Sequence, residues 1–115
     1  MANFTFTGPY GDIECVVNNC MSNEIVLIMA HGFRGSRDGG GRSTAFAQMA
    51  AGVCKVVRFN FNGSQILSRQ VEELQAVIAT VREKLKPQKL FLLGRSLGGA
   101  ASMITASADE NIDGL

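Results

Sequence analysis

The 115-residue chain contains one histidine, two prolines and three cysteines, and it has almost no excess of charge of either sign. Eleven basic residues against ten acidic ones leave a formal charge of +1, so neither nucleic acid nor a membrane surface is expected as a partner. Cys15, Cys20 and Cys54 are odd in number, form no C-x-x-C pair and have no histidine close by in sequence. That excludes a disulfide framework and a zinc site, and a reducing, cytoplasmic setting is the simplest account of them. The three read as small hydrophobes in or near strands, and nothing in the sequence supports a regulatory thiol. The longest apolar run, Ile25–Ala30, falls far short of the ~18 residues that suggest a membrane span. Residues 1–9 have neither the basic flank nor the apolar stretch of a signal peptide. The glycine-rich residues 39–43 lack the lysine of a phosphate-binding loop, and no G-x-G-x-x-G is completed, so no nucleotide or other cofactor is expected.

What is present is the composition of a folded protein: 46% hydrophobic and 18% charged residues, without repeats, low-complexity tracts or a linker. Residues 1–115 are therefore read as a single domain. Residues 5–7 and 12–17 are predicted strands, separated by the turn Gly8-Pro9-Tyr10-Gly11. The continuous apolar run Ile25–Ala30 suits a strand buried on both faces of a parallel sheet. Ser43 is the expected N-cap of a helix over residues 44–51, with Gly52 as its stop. Residues 55–61 form the next predicted strand, with Asn60 as a packed polar strand end. Over residues 70–86 the apolar side chains Val71, Leu74, Val77, Ile78, Val81 and Leu85 recur at three- and four-residue steps, which predicts a helix ended by Pro87. A strand over residues 89–93 and a helix over residues 96–107 follow. Alternating strands and helices specify an α/β domain with a mostly parallel sheet. Residues 109–115 read as a loop about to enter another strand, without which the strand at 90–93 presents an open apolar edge.

The most informative run is Gly94-Arg95-Ser96-Leu97-Gly98-Gly99, an apolar strand feeding through Gly-x-Ser-x-Gly into a helix of small residues. A serine in so sharp a turn requires that the residues two before and two after it carry no side chain, and Gly94 and Gly98 meet that need. The turn places Ser96 at a helix N-terminus, where unpaired N–H groups favour developing negative charge. The Leu97 amide is one candidate oxyanion donor. The other is the Phe33 amide in His31-Gly32-Phe33, which follows the Ile25–Ala30 strand, with Gly32 permitting close backbone approach. The alternative for Gly-x-Ser-x-Gly is a structural strand-to-helix turn. His31 reads as ordering this loop rather than as a catalytic base. Arg34, Arg37, Arg42 and Arg95 are read either as solvated loop charges or as a rim that attracts anionic substrates.

In the order and content of these motifs the chain resembles the front half of an α/β-hydrolase, over roughly residues 12–115. It is similar to dienelactone-hydrolase- and cinnamoyl-esterase-like members, within a branch that carries a Gly-Arg-Ser elbow. The resemblance implies that the Ile25 strand lies between the Val56 and Phe91 strands. It also implies a serine hydrolase acting on an ester, thioester or related acyl bond of a small molecule, with Ser96 as nucleophile. Family enzymes carry the acid and then the histidine after the nucleophile, whereas beyond Ser96 this chain has Asp109, Glu110 and Asp113 but no histidine. Those acids come too early for the family position and are assigned no role. The acid and base are therefore expected from sequence beyond residue 115, the fold is expected to be truncated after the helix that follows Ser96, and the 115 residues alone are expected to be inactive. The second reading is a catalytically inactive interaction module of the same fold. A third expectation is association through the open sheet edge.

Overall fold

The computed structural model describes residues 3–20, 24–31, 37, 41–62, 66–94 and 97–115. The elements run β1 (Phe4–Gly8), β2 (Gly11–Asn18), β3 (Ile25–Ala30), α1 (Arg42–Ala50), β4 (Lys55–Phe59), α2 (Leu67–Leu85), β5 (Lys89–Gly94) and α3 (Leu97–Ala108). They build one five-stranded sheet in the order β1-β2-β4-β3-β5, which places β3 between β4 and β5. The sheet is mixed. β4, β3 and β5 run parallel, while β1 and β2 form an antiparallel hairpin that joins the edge of β4 antiparallel.

Period-two alternation divides the side chains between two faces. Ile13, Cys15, Val26, Ile28, Val57, Phe59, Leu90 and Leu92 bury themselves against the stripe Leu74, Val77, Ile78, Val81 and Leu85 of α2 and against Ala101 of α3. On the other face Ala47 of α1 covers Cys54 and Val56, with Ile25, Leu27 and Met29 packed around them. No helix among the described residues is long and apolar enough to cross a membrane.

Element ends depart from the sequence expectations for physical reasons. α1 begins at Arg42, and its N-cap is Gly41, in the left-handed region at φ 92°, with no side-chain capping bond; Ser43 lies inside the helix. Nor does Gly52 stop it in a left-handed conformation: the C-cap is Ala51 in helical geometry. α2 starts at Leu67, three residues before the predicted residue 70, and is capped by Lys86, itself left-handed at φ 48°, immediately before Pro87. β4 stops at Phe59 rather than at residue 61, because Phe61 turns its amide away from the sheet toward His31. At the outer edge of β5, residues 113 and 114 lie alongside it. Leu92 donates to the Gly114 carbonyl at 3.0 Å, the Asp113 amide to the Leu90 carbonyl at 2.8 Å, and Phe91 bridges Gly114 in parallel sense. The tail thus begins strand-like pairing where an open edge is expected.

Candidate functional site

Three parallel strands end on one side of the sheet, and the register fixes which residues leave it together. Ala30 pairs with Gly94, so β3 and β5 end side by side. Ser96, Arg95, Gly32, Phe33 and Arg34 lie outside the described residues. Their described neighbours define the framework that carries them.

Gly94 ends β5, and α3 begins at Leu97. A Cβ on Gly94 would sit 2.5 Å from both the Gly98 carbonyl oxygen and the Gly99 Cα. A Cβ on Gly98 would run into the carbonyl oxygens of His31 and, at 2.5 Å, of Ala30. The strand end therefore meets the first turn of α3 backbone to backbone, and that turn in turn rests on the end of β3. Only glycine fits either place, because the obstructing atoms are main chain and cannot swing aside. Ala101 is fully buried one turn further on, so the small-residue face of α3 lies close against the sheet. These contacts bring the first turn of α3 against the Ala30 and His31 main chain.

His31 is held from another direction. Its Nε2 accepts the Phe61 amide at 3.0 Å, which places the imidazole proton on Nδ1. Its ring packs edge-on against Phe61 at 5.0 Å, and Phe61 does the same against Phe59 at 4.9 Å. An imidazole nitrogen accepting from a backbone amide is committed to structure, in agreement with a loop-ordering role. The next amide, that of Asn62, is taken by Glu73 of α2, whose carboxylate oxygens lie 3.1 and 3.3 Å away. The Asn62 side chain then donates to the Gly11 carbonyl at 3.1 Å and ties this corner to the β1–β2 turn.

Glu73 is fully buried, and burial pushes its carboxyl above the ordinary glutamate range, partly offset by the Asn62 bonds that favour the charged form. With the folded-state value raised, the native protein binds the proton more tightly than the unfolded chain does. Stability therefore falls as pH rises through the interval between the ordinary and the raised value, and below the ordinary value nothing is lost. Glu73→Gln, which keeps one oxygen to accept the Asn62 amide, is expected to raise the denaturation midpoint at neutral pH. The gain should vanish in mild acid, and urea titrations of both proteins at the two pH values measure it.

Arg37 and Arg42 are the described members of the expected cationic rim. Arg37 bonds the Glu14 carboxylate at 2.7 Å, while its own amide donates to Asn60 Oδ1 at 2.7 Å. Its charge is thus already matched, and Asn60 is an exposed anchor for it rather than a packed strand end. Arg42 is exposed in the first turn of α1. Sequence reasoning missed Arg58. Buried in the middle of β4, it donates to Asn18 Oδ1 at 3.1 Å, to Thr44 Oγ1 at 3.1 Å and to the Arg37 carbonyl at 3.3 Å. It joins β2, α1 and the β3–α1 connection behind the site. The available signal was an arginine inside a strand buried on both faces, which must find partners for its donors.

A groove of about 320 Å³ lies away from this site, near the N-terminal end of β5, between Arg82, Lys86, Leu90 and Asp113. Its charges serve local structure. Arg82 forms a two-pronged pair with Asp109 at 2.9 and 3.2 Å, and Asp113 accepts the Leu90 amide at 2.7 Å. The Arg82 bonds hold the Asp109 carboxyl below its ordinary range.

Neither the models of known protein families nor the curated proteins match the sequence. Solved structures do match. A lidless α/β serine hydrolase of Xanthomonas campestris superposes with a TM-score of 0.81 at 27% identity, over 96% of this chain and 57% of its own. An α/β serine hydrolase homologue of Coxiella burnetii gives 0.80 at 23% identity, over 96% of this chain and 60% of its own. An esterase of Pyrococcus furiosus gives 0.83 at 16% identity, over 97% of this chain and 49% of its own. The chain thus spans between about half and three fifths of the length of these three structures.

Proposed function

Because the chain has the α/β-hydrolase fold, with the end of β5 and the start of α3 packed on the end of β3, we propose that the protein is a serine hydrolase in which Ser96 attacks an acyl carbonyl. The observation that carries this reading is the pair of main-chain contacts at Gly94 and Gly98. They bracket Ser96 and leave room for no side chain on either flank. A nucleophile placed there would stand at the N-terminus of α3, beside the segment that leads from His31 to Phe33. Backbone amides at Leu97 and Phe33 would hold the oxyanion of the tetrahedral intermediate, each donor lowering the barrier by about 3 to 4 kcal/mol.

Attack requires a base to take the Ser96 proton. His31 does not supply it, since its Nε2 is engaged by the Phe61 amide. The base and the acid that orients it are assigned to parts of the protein outside these 115 residues. The substrate is a small ester, thioester or related acyl compound. A fluorophosphonate probe should label the full-length protein at Ser96 and leave a Ser96→Ala variant unlabelled. Absence of label on folded full-length protein would favour the inactive interaction module.

A further inference from the structure

We propose that Cys20 and Cys54 form a reversible disulfide between the chain segments just past the end of β2 and just before the start of β4, making this pair a thiol-oxidation site. The two strands pair antiparallel as far as Asn18 opposite Val56, and Cys20 and Cys54 each lie two residues further on, just past the ends of β2 and β4, where the same register carried on leads them toward each other. Cys54 belongs to the α1 face, where it packs with Val56, and Asn18, two residues before Cys20, reaches Arg58 on that face. Within the ladder directly opposed Cα atoms are about 4.5 to 5.5 Å apart, so closing the bond needs the two chain ends to stay within the about 4.4 to 6.8 Å that a disulfide bridges. Neither cysteine is in a disulfide, and the Cys54 thiol donates to the Ala50 carbonyl at 3.5 Å. Burial pushes the Cys54 thiol up, and a charge on the nearby Cys20 adds to it. Cys15 takes no part. It sits on the opposite face of β2, fully buried in the main core, and burial pushes its thiol up to about 12.

The accessibilities assign the roles. Cys20 is half-buried and Cys54 is 8% exposed, so Cys20 is the thiol that meets the oxidant. The oxidant is a low-molecular-weight disulfide such as glutathione disulfide. The Cys20 thiolate attacks one of its sulfurs, the small S–S bond breaks and one thiolate leaves, giving a mixed disulfide. Cys54 then loses its proton to solvent and attacks the Cys20 sulfur, releasing the second small thiol. Two protein thiols are oxidised and one small disulfide is reduced. The bond closes a loop that holds β3, His31 and α1, whichever chemistry the protein performs.

The test is to incubate the full-length protein with glutathione disulfide, alkylate the remaining thiols and digest without reductant. A Cys15→Ala variant, in which Cys20 and Cys54 are the cysteines left within these 115 residues, makes the assignment direct. Should that variant fail to fold, fragmentation of the linked wild-type peptides distinguishes Cys15 from Cys20. The expected result is an intramolecular Cys20–Cys54 link that dithiothreitol reverses and that Cys20→Ser abolishes. Glutathione left on Cys20 with Cys54 still open to alkylation would overturn the proposal. So would links only between separate chains, or a link through Cys15.

Discussion

Replacing Ser96 with alanine should lower turnover of an activated ester by the full-length protein on the order of 10⁴-fold or more, with little change in KM. The variant keeps the oxyanion amides and the binding surface and removes the only atom proposed to bond to the acyl carbon. What remains is the residual catalysis of a site that stabilises charge but lacks a nucleophile. Steady-state kinetics with a p-nitrophenyl ester measure it. A variant that keeps most of the wild-type rate would place the nucleophile elsewhere.

Gly98→Ala should damage the protein where Gly99→Ala does not. One added methyl at Gly98 meets the carbonyl oxygens of His31 and Ala30, both main chain, so α3 must move off β3. Overpacking of this kind costs about 1 to 3 kcal/mol. The displacement also carries the Leu97 amide away from the His31 segment, so activity should fall by more than stability alone accounts for. At Gly99 an added Cβ comes no closer than 3.4 Å to the Gly94 carbonyl, an ordinary contact. The gain in helix propensity, up to about 1 kcal/mol, should leave Gly99→Ala neutral or more stable. Chemical denaturation of the three proteins tests this pair. Equal losses at both positions would contradict the backbone contact at Gly98.

What could be read from the sequence divides along the range of the interactions involved. The order of strands and helices, the α2 stripe and the glycines flanking Ser96 depend on local periodicity and on the sterics of one turn, so they were legible. The place of β3 between β4 and β5 came from the family resemblance, and the sheet bears it out. The ends of elements were less legible because tertiary contacts set them. β4 gives up Asn60 and Phe61 since His31, 30 residues earlier, claims the Phe61 amide. α1 starts after a left-handed glycine in a stretch with several glycines to choose from. The partners of Arg58 and the Glu73–Asn62 corner depend on which elements become neighbours. No spacing along the chain reveals that β2 and β4 pair, the premise of the proposed Cys20–Cys54 bond, and a count of three cysteines argues against a pair.

A crystal structure of the full-length protein after reaction with a fluorophosphonate would show whether Ser96 attacks while the Leu97 and Phe33 amides hold the resulting oxyanion. Phosphorus is expected on Ser96 Oγ, with the phosphoryl oxygen about 2.7 to 3.1 Å from both amide nitrogens. Phosphorus on another residue, or a phosphoryl oxygen turned away from those two amides, would contradict it.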